Sequence, residues 1–380
     1  LKLKKVNSHL EFWKKCKTRG KVPLGRSSHG LLALGRHAFV FGGEHEPRVP
    51  IGSTIHRLDL DTMEWEDYKA DNKDSQPYPV NAAAISAIDD NIYVFGGRTG
   101  ITMGEGNTDE MFSFNINTRK WSKLATSGKR PTPRSYHAMV SLNKKLYMFG
   151  GCSDKGRLND LYSFDVTSCQ WEEQPRHDAI EGRGGPGLVA VGECIYVVAG
   201  FAGRETNDVH KFDTVTKSWT TLSFGTPLPP RSVFGIASDG QHIVVIGGEV
   251  DPSSLGHEGA GNFSNECFVL NIKEPNDWIK VNVSGDVPEP RGWFQAAYCN
   301  FSKQFIIFGG NSETNVLASG INDALPLSLM SPYIGRYYLR GINDTLQLSL
   351  RSQYIGRYFL RGINDALSLP TMFFVFFSYI

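Results

Sequence analysis

Six short apolar stretches, each ending in a pair of small residues, recur along most of this chain. The intervals between their last residues are 54, 54, 49, 48 and 62, and the last interval holds the longest connecting loop. Such self-similarity is the signature of a repeat architecture, so one small unit has to account for each interval. The stretches are HAFVFGG (37–43), NIYVFGG (91–97), KLYMFGG (145–151), CIYVVAG (194–200), HIVVIGG (242–248) and QFIIFGG (304–310).

Each unit is predicted to be four short antiparallel strands. A strand precedes the glycine pair, and in most units it opens with Arg; the apolar stretch itself is the second strand. A third strand follows the connecting loop, and a fourth is centred on Trp. Turn residues separate these runs of β-branched and aromatic residues, which is typical of strands. The tryptophans are Trp65, Trp121, Trp171, Trp219 and Trp278.

Four-stranded units of about 50 residues with a Gly-Gly pair and a Trp resemble the kelch repeat, the blade of a β-propeller. A single four-stranded sheet cannot bury both of its faces, but blades stacked around an axis give each sheet two apolar neighbours. The resemblance covers roughly residues 11–312. It implies an all-β, six-bladed kelch propeller whose last blade is incomplete.

The two ends of the chain depart from the repeat. Trp13 precedes the first complete unit, and we expect its strand to close the blade that contains QFIIFGG, so that the propeller spans residues 1–315. A period of 21 residues then takes over, with GIND at 320, 341 and 362. Residues 316–380 are therefore expected to form an irregular tail outside the fold, contributing at most one improvised strand.

Composition excludes several classes of partner. A net charge of +1 gives no reason to expect nucleic acid or an anionic membrane. The longest apolar run, TMFFVFFSYI, is half the ~20 residues that span a bilayer. The 6 cysteines are scattered and show no CxxC pair. This spacing predicts reduced thiols and a cytoplasmic protein.

The arginines that open the first strands are predicted to gather at one mouth of the central channel, together with Arg98, which follows a Gly-Gly pair. Several guanidinium groups around a concave opening suit an anionic ligand such as a sulfate or carboxylate. The alternative is that each arginine bonds loop carbonyls. His29 and His137 share one strand register, which indicates a common structural role. The strand-opening arginines are Arg26, Arg134, Arg183, Arg231 and Arg291.

The longest connecting loop lies within GGEVDPSSLGHEGAG, residues 247–261. Long loops on a compact scaffold are often functional, although they are also often simply disordered. Glu249, Asp251 and His257 offer two oxygen ligands and one imidazole, a set that suits Fe(II), Mn(II) or Zn(II). A solvated loop without a metal is the alternative.

At this loop the chain also resembles the plant specifier proteins, kelch proteins that direct glucosinolate breakdown to nitriles, epithionitriles or thiocyanates. The likeness extends over residues 20–310, through stretches such as PTPRSYHAM and PRGWFQA. In that family Glu, Asp and His at relative positions 0, +4 and +8 hold Fe(II). Glu249 and His257 match, whereas Ser253 stands at the middle position and Asp251 comes two residues early. The resemblance also implies Arg98, Arg134 and Trp293 as substrate contacts.

Two functions remain open at this point. One is an Fe(II)-dependent conversion of a small, sulfur-containing anionic substrate, in which the metal acts as a Lewis acid. The other is a non-catalytic kelch module that grips a protein segment at the same mouth. Propellers serve many functions, so the fold favours neither.

Overall fold

The computed structural model describes residues 10–72, 75–100, 106–251, 261–312, 327–330 and 346–351 of the 380-residue chain. Within these ranges the regular structure is β-strand, and no α-helix is present. The prediction of an all-β chain is confirmed. No helix in this part of the chain is long and apolar enough to cross a membrane.

Five blades have four strands each: two are separate sheets, two are extended by a short flanking strand, and the fifth belongs to a nine-stranded sheet that continues through the first strand of the chain and the tail strands to the last hairpin. The strands up to the end of the third blade are β1 (Leu10–Trp13), β2 (Arg19–Gly20), β3 (Gly30–Leu34), β4 (His37–Phe41), β5 (Ile55–Asp59), β6 (Glu64–Tyr68), β7 (Ala84–Ile88), β8 (Asn91–Phe95), β9 (Met111–Asn115), β10 (Lys120–Lys123), β11 (Ser127–Gly128), β12 (Ala138–Leu142), β13 (Lys145–Phe149), β14 (Cys152–Ser153), β15 (Gly156–Arg157), β16 (Leu161–Asp165) and β17 (Gln170–Glu173).

The remaining strands are β18 (Gly187–Val191), β19 (Cys194–Phe201), β20 (Glu205–Asp213), β21 (Ser218–Leu222), β22 (Gly235–Ser238), β23 (His242–Asp251), β24 (Asn262–Asn271), β25 (Trp278–Gly285), β26 (Arg291–Gly292), β27 (Gln295–Cys299), β28 (Gln304–Phe308), β29 (Asn311–Ser312), β30 (Leu327–Met330) and β31 (Leu346–Arg351).

Consecutive strands of each blade pair antiparallel, from an inner strand at the axis to an outer strand that carries the tryptophan. Blade one is β3 to β6, blade two β7 to β10, blade four β18 to β21 and blade five β22 to β25. Blade three is β12, β13, β16 and β17. The inner strands contact one another in a closed cycle, in which β27 lies between β22 and β3.

Aromatic contacts between neighbouring blades form much of the core. The phenylalanine that ends the second strand of one blade packs on the outer-strand tryptophan of the next blade, with ring centroids 5.0 to 6.4 Å apart. Such pairs add attraction beyond the area that they bury. The pairs are Phe41–Trp121, Phe95–Trp171, Phe149–Trp219 and Phe308–Trp65.

A ring of six backbone hydrogen bonds encircles the channel at the throat, just before the inner strands begin. Each N–H donates to the carbonyl of the equivalent residue in the preceding blade, over 2.8 to 3.0 Å, and the first residue closes the circle on the last. All six residues have a left-handed φ between 46° and 57°, which turns both polar groups toward the neighbouring blades. They are Ser28, Ala82, Tyr136, Gly185, Val233 and Trp293.

The glycine pairs are required by close approach to this throat. Gly96 has a φ of +66°, and a Cβ there would come within 2.7 Å of the carbonyl oxygen of Arg134 in the next blade. Ala199 replaces the first glycine in blade four and keeps a φ of 49°. Glycine adopts this conformation without steric strain, and a side chain at Gly96 has no space.

Strand β1 lies in the same sheet as the last hairpin, β27–β28. The end of β25 runs parallel to β1, with Gly285 opposite Trp13, as Gly20 lies opposite Trp65 in blade one. Trp13 is fully buried in one apolar cluster with Phe305 and Ile307 of β28.

Two segments of the tail, β30 and β31, also enter this sheet, and the placement of the rest of residues 316–380 outside the fold stays a prediction. β30 and β31 both pair with β28, and β30 also pairs with β1. The edge of β28 offers backbone donors and acceptors, and an available strand satisfies them. The 21-residue repeat appears in the pairing, because Leu327 lies opposite Leu348 and Leu329 opposite Leu350.

Replacing Gly96 by alanine is expected to lower the free energy of unfolding by about 3–5 kcal/mol, since the methyl group meets a carbonyl oxygen of the next blade. Gly192→Ala is the matched control, because Gly192 has a φ of +58° and no atom within 4 Å of a Cβ. It should lose only about 1–2 kcal/mol from backbone strain. Urea unfolding measures both values, and equal losses would contradict the crowding at Gly96.

Candidate functional site

A cavity of about 450 Å³ runs along the axis of the propeller. Ser28, Tyr136 and Trp293 line it at the throat, and Ser86, Ser141 and Ser238 line it farther along the inner strands. Of the residues predicted to bind substrate or metal, Trp293 lines this cavity. The cavity lining does not include Arg98, Arg134, Glu249 or Asp251.

The five strand-opening arginines do not line the mouth as predicted; they are buried braces inside the blades, each at most 1% exposed. In every case Nε donates to the carbonyl two residues earlier. Nη1 donates to the carbonyl of the first small residue of the same blade's pair, over 2.8 to 3.2 Å. A recurring arginine at this position therefore closes the turn, as the alternative interpretation expected. The carbonyl acceptors for Nη1 belong to Gly42, Gly150, Ala199, Gly247 and Gly309.

Arg134, expected to contact substrate, has all five of its N–H groups bonded within the protein. Nε and Nη2 reach the carbonyl and hydroxyl of Thr132, and Nη1 reaches Gly150. Both oxygens of the buried Asp160 accept from the guanidinium, at 2.6 and 3.0 Å. This leaves Arg134 no donor for a ligand.

Arg98 differs from those arginines. It follows a glycine pair, is 5% exposed, and donates from Nε to Oδ1 of Asn81 at 3.0 Å. Nη2 donates to the phenol oxygen of Tyr136, whose ring lies 5.2 Å from the guanidinium carbon. These two bonds fix the plane of the guanidinium beside a residue of the throat. No hydrogen bond occupies Nη1 among the residues that the structure describes, so Arg98 can still bind an anion.

Glu44 anchors this cluster from blade one. Its carboxylate accepts from the Ser28 hydroxyl, the Arg48 N–H and the Asn81 amide, over 2.7 to 2.9 Å. Burial raises the pKa of Glu44, although these donors oppose the shift. Burial, and next the charge of Glu44, raise the pKa of Tyr136 to about 12, so the phenol keeps its proton. The cluster therefore presents Arg98 in one fixed orientation.

The predicted metal ligands lie at the start of the long loop, on blade five. Glu249 is buried, and its Oε1 accepts from the Gly261 N–H at 2.9 Å. Asp251 is exposed and accepts from the Asn262 amide at 3.2 Å. His257 and Ser253 lie outside the described residues. Among the residues that are described, no three His, Cys, Asp or Glu side chains form a metal-ligand cluster.

Glu205, at the start of β20, is a site residue that sequence reasoning missed. It is 9% exposed, and its carboxyl oxygens have no hydrogen-bond partner within the described part of the chain. Burial raises its pKa to about 8; the negative charge of Glu249 adds to the shift, whereas Ser232 and Arg231 oppose it. Ser232 lies beside the carboxyl, but no hydrogen bond of ordinary geometry joins them. The sequence signal is its position at the start of the third strand of blade four, where the chain returns from the loop that follows the small-residue pair.

His29 and His137 fill equivalent spaces between blades. Each ring meets a phenylalanine of the preceding blade edge to face, at 5.5 Å for Phe308 and 5.6 Å for Phe95. Burial, helped by the charge of the neighbouring Arg26 or Arg134, lowers the pKa of both imidazoles to about 3. Both are therefore neutral packing groups, which agrees with the structural role inferred from their shared register.

These two histidines are expected to weaken the fold in acid. In the unfolded chain a histidine takes up a proton near pH 6.5, but the native imidazoles stay neutral until about pH 3. The free energy of unfolding should therefore fall by up to about 1.4 kcal/mol per histidine and pH unit between pH 6.5 and 4. The double variant His29→Phe, His137→Phe should flatten this slope. Phe234 and Phe294 already occupy the same register in other blades.

Urea unfolding at several pH values measures this slope. The double variant and the wild type should have equal slopes above pH 7, which serves as the internal control. An unchanged slope between pH 6.5 and 4 in the variant would contradict the assignment.

Comparison with known proteins agrees with this geometry. The family model for the KLHDC2/KLHL20/DRC7 Kelch-repeats domain matches residues 28–248. The chain belongs to the kelch-repeat family. A solved structure of YjhT shares the fold with a TM-score of 0.62 and 20% identity, covering 80% of this chain and 95% of that one.

Among curated kelch relatives, an N-(sulfonatooxy)prop-2-enimidothioate sulfolyase from Thlaspi arvense is 29% identical over 80% of this chain and 93% of its own length. Kelch domain-containing protein 3 from Bos taurus is 28% identical, over 63% of this chain and 66% of its own. Acyl-CoA-binding domain-containing protein 4 from Arabidopsis thaliana is 28% identical, but the match spans only 34% of that protein.

Proposed function

We propose that this kelch propeller converts a small, sulfur-containing anionic substrate at the channel mouth, with Fe(II) as cofactor. The similarity to the sulfolyase from Thlaspi arvense carries the proposal, because it extends over 93% of that enzyme. The substrate in that enzyme's name combines a sulfate ester with an imidothioate. Loss of sulfate breaks the N–O bond, and the electron pair leaves with the sulfate. The thiolate electrons and migration of the organic group from carbon complete the bonding of the remaining N–C–S unit, so no outside oxidant or reductant is needed.

Arg98 is the residue best placed to bind the sulfate group. Its guanidinium is held by Asn81 and Tyr136, and a planar guanidinium matches the oxygens of a sulfate. Because the cluster is already ordered, little conformational entropy is lost when the anion binds. Arg98 would stabilise the charge that grows on the departing sulfate.

Trp293 gives the substrate an apolar surface at the throat. Its ring packs edge to face on Phe263, with centroids 5.8 Å apart, and lines the axial cavity. The left-handed φ of 53° at Trp293 is fixed by the ring of throat hydrogen bonds, which sets the direction of the side chain. A hydrocarbon side chain of the substrate would pack here while its sulfate faces Arg98.

Fe(II) would be held by Glu249, Asp251 and His257. The fit rests on the acidic character of this edge of the mouth. Glu249 is buried there and Asp251 is exposed, and the charge of Glu249 acts on the carboxyl of Glu205. When bound, the ion supplies Lewis-acid polarisation of the substrate sulfur or an adjacent heteroatom. The N–H of Gly261 fixes Oε1 of Glu249, which holds the carboxylate in one orientation.

An anaerobic Fe(II) titration tests the cofactor. The wild type should bind close to one ion, and Glu249→Ala combined with His257→Ala should lose that binding because two ligands are removed. The matched control is His177→Ala with Glu172→Ala, which removes an imidazole that contacts Thr221 and a carboxylate that pairs with Lys217, both at the outer strand of blade four.

The same proteins should be incubated with N-(sulfonatooxy)prop-2-enimidothioate, and the organic products separated by gas chromatography. A product distribution equal to that of a protein-free reaction would overturn the proposal.

Arg98→Met is expected to weaken substrate conversion at least tenfold and to cost less unfolding free energy than Arg134→Met, since the hydrogen bonds of Arg98 go to neutral groups. Arg134→Met should lose about 3–5 kcal/mol of unfolding free energy, because Asp160 would remain buried without its partner. Steady-state kinetics and urea unfolding separate the two roles. Equal conversion by Arg98→Met and the wild type would contradict the assignment of Arg98.

The second candidate is a non-catalytic module that binds a protein segment at the mouth. Similarity to Kelch domain-containing protein 3 favours it, since that match is also broad and carries no enzyme name. Wild-type protein that neither binds Fe(II) nor alters the products of the substrate would favour this function.

We further propose that six blades complete the ring, with β27, β28, the tail strands and β1 as the last. Gly285 opposite Trp13 repeats the register of Gly128 opposite Trp171 and supports this count. A cytoplasmic location is also proposed; all six cysteines are thiols, as a reducing compartment requires.

A further inference from the structure

Glu205 and Glu249 occupy neighbouring positions of two adjacent blades. Glu205 pairs with Phe201 where the chain of blade four returns from its mouth loop, as Asn107 returns opposite Arg98 in blade two. In that equivalent place, Asn107 reaches across to the next blade and donates to the carbonyl of Cys152. The same register directs Glu205 toward Glu249, the blade-five counterpart of Cys152.

Independent contacts agree with this placement. Glu249 exchanges two backbone hydrogen bonds with Ser232, at 2.9 and 3.0 Å, and Ser232 lies beside the Glu205 carboxyl. Glu249 also raises the pKa of Glu205 through its charge. Two carboxyl groups are therefore brought together on one side of the mouth.

The described part of the chain gives the Glu205 carboxyl no hydrogen bond of ordinary geometry. The charge of Arg231 acts on Glu205, but its Nη1 donates to the Gly247 carbonyl, and its Nη2 lies 3.6 Å from the carboxylate of Glu266. Its guanidinium also lies over the Phe268 ring, with 4.6 Å between the guanidinium carbon and the centroid. The positive charge is thus directed toward Glu266. A carboxyl that is 91% buried and lacks hydrogen bonds is unfavourable unless a proton or an external cation compensates it.

We propose that Glu205 and Glu249 together hold a divalent cation at the mouth, so that blade four contributes a ligand from outside the long loop. The inference rests on the proposed function for the identity of the ion, which would be Fe(II). Oxygen ligands from two blades would hold the ion beside the rigid throat. This also offers an oxygen ligand in place of the one missing at Ser253.

Anaerobic equilibrium dialysis with Fe(II) tests this inference without measuring activity. Glu205→Gln should weaken Fe(II) binding at least tenfold relative to the wild type, and Glu249→Gln should weaken it at least as much. The Glu205→Gln protein should fold, because an amide closely resembles the neutral carboxyl of the metal-free protein. Glu205→Asp, which shortens the side chain but keeps the charge, should weaken binding less than Glu205→Gln.

Glu44→Gln is the matched control for metal binding. Glu44 has the same register in blade one as Glu249 in blade five, but Ser28, Arg48 and Asn81 already satisfy it. Its Fe(II) affinity should equal that of the wild type. The increase in melting temperature on adding Fe(II) is a second readout. This increase should be smaller in Glu205→Gln than in the wild type and unchanged in Glu44→Gln.

The outcomes separate this inference from the proposed function. Wild-type binding that is unchanged in both Glu205 variants overturns the role of Glu205 and leaves the proposed function standing. Equal weakening in Glu44→Gln also overturns it, since the effect would then be general. If the wild type binds no Fe(II), the inference fails, and the organic products formed from the substrate decide the proposed function separately.

Discussion

The closed ring of six backbone hydrogen bonds at the throat is the constraint on which the rest of the structure depends. Each bond joins equivalent residues of adjacent blades, so no inner strand can move along the axis without breaking two bonds. Five of the six residues are not glycine and still adopt a left-handed φ, which carries a conformational cost in each blade. Packing between blades offsets that cost. The channel therefore has a fixed width, and the residues just beyond the throat have fixed positions.

Two sets of positions next to this ring differ in their roles. The strand-opening arginines bond the carbonyls of five of the small-residue pairs, which makes those turns rigid and directs the guanidinium groups into the blades. The residue directly after each pair lies beyond the throat and differs from blade to blade. Side chains can therefore differ at this second set of positions without loosening the turns. These positions are Glu44, Arg98, Cys152, Phe201, Glu249 and Asn311.

Sequence reasoning succeeded where a pattern repeats and failed where a single residue depends on register. The spacing of the glycine pairs and tryptophans was enough to predict the β-propeller. The prediction that the strand-opening arginines line the mouth was wrong. Their recurrence at one register marks a structural role, and a sequence does not show which backbone carbonyls they bond. Glu205 was missed because its neighbour, Glu249, is 44 residues away and is found only by aligning blades. The tail strands depend on the open edge of β28, which no local pattern shows.

The distribution of charge around the opening has a consequence for how a ligand arrives. Blade two presents the guanidinium of Arg98, whereas blade five presents the carboxylate of Glu249 at the equivalent position. The charges at the opening are thus unevenly placed although the whole chain is nearly neutral. An elongated molecule with one anionic end would be turned before it touches the protein, entering with that end toward Arg98. The electric field of the opening would then orient the ligand during its approach, before the ligand contacts the channel.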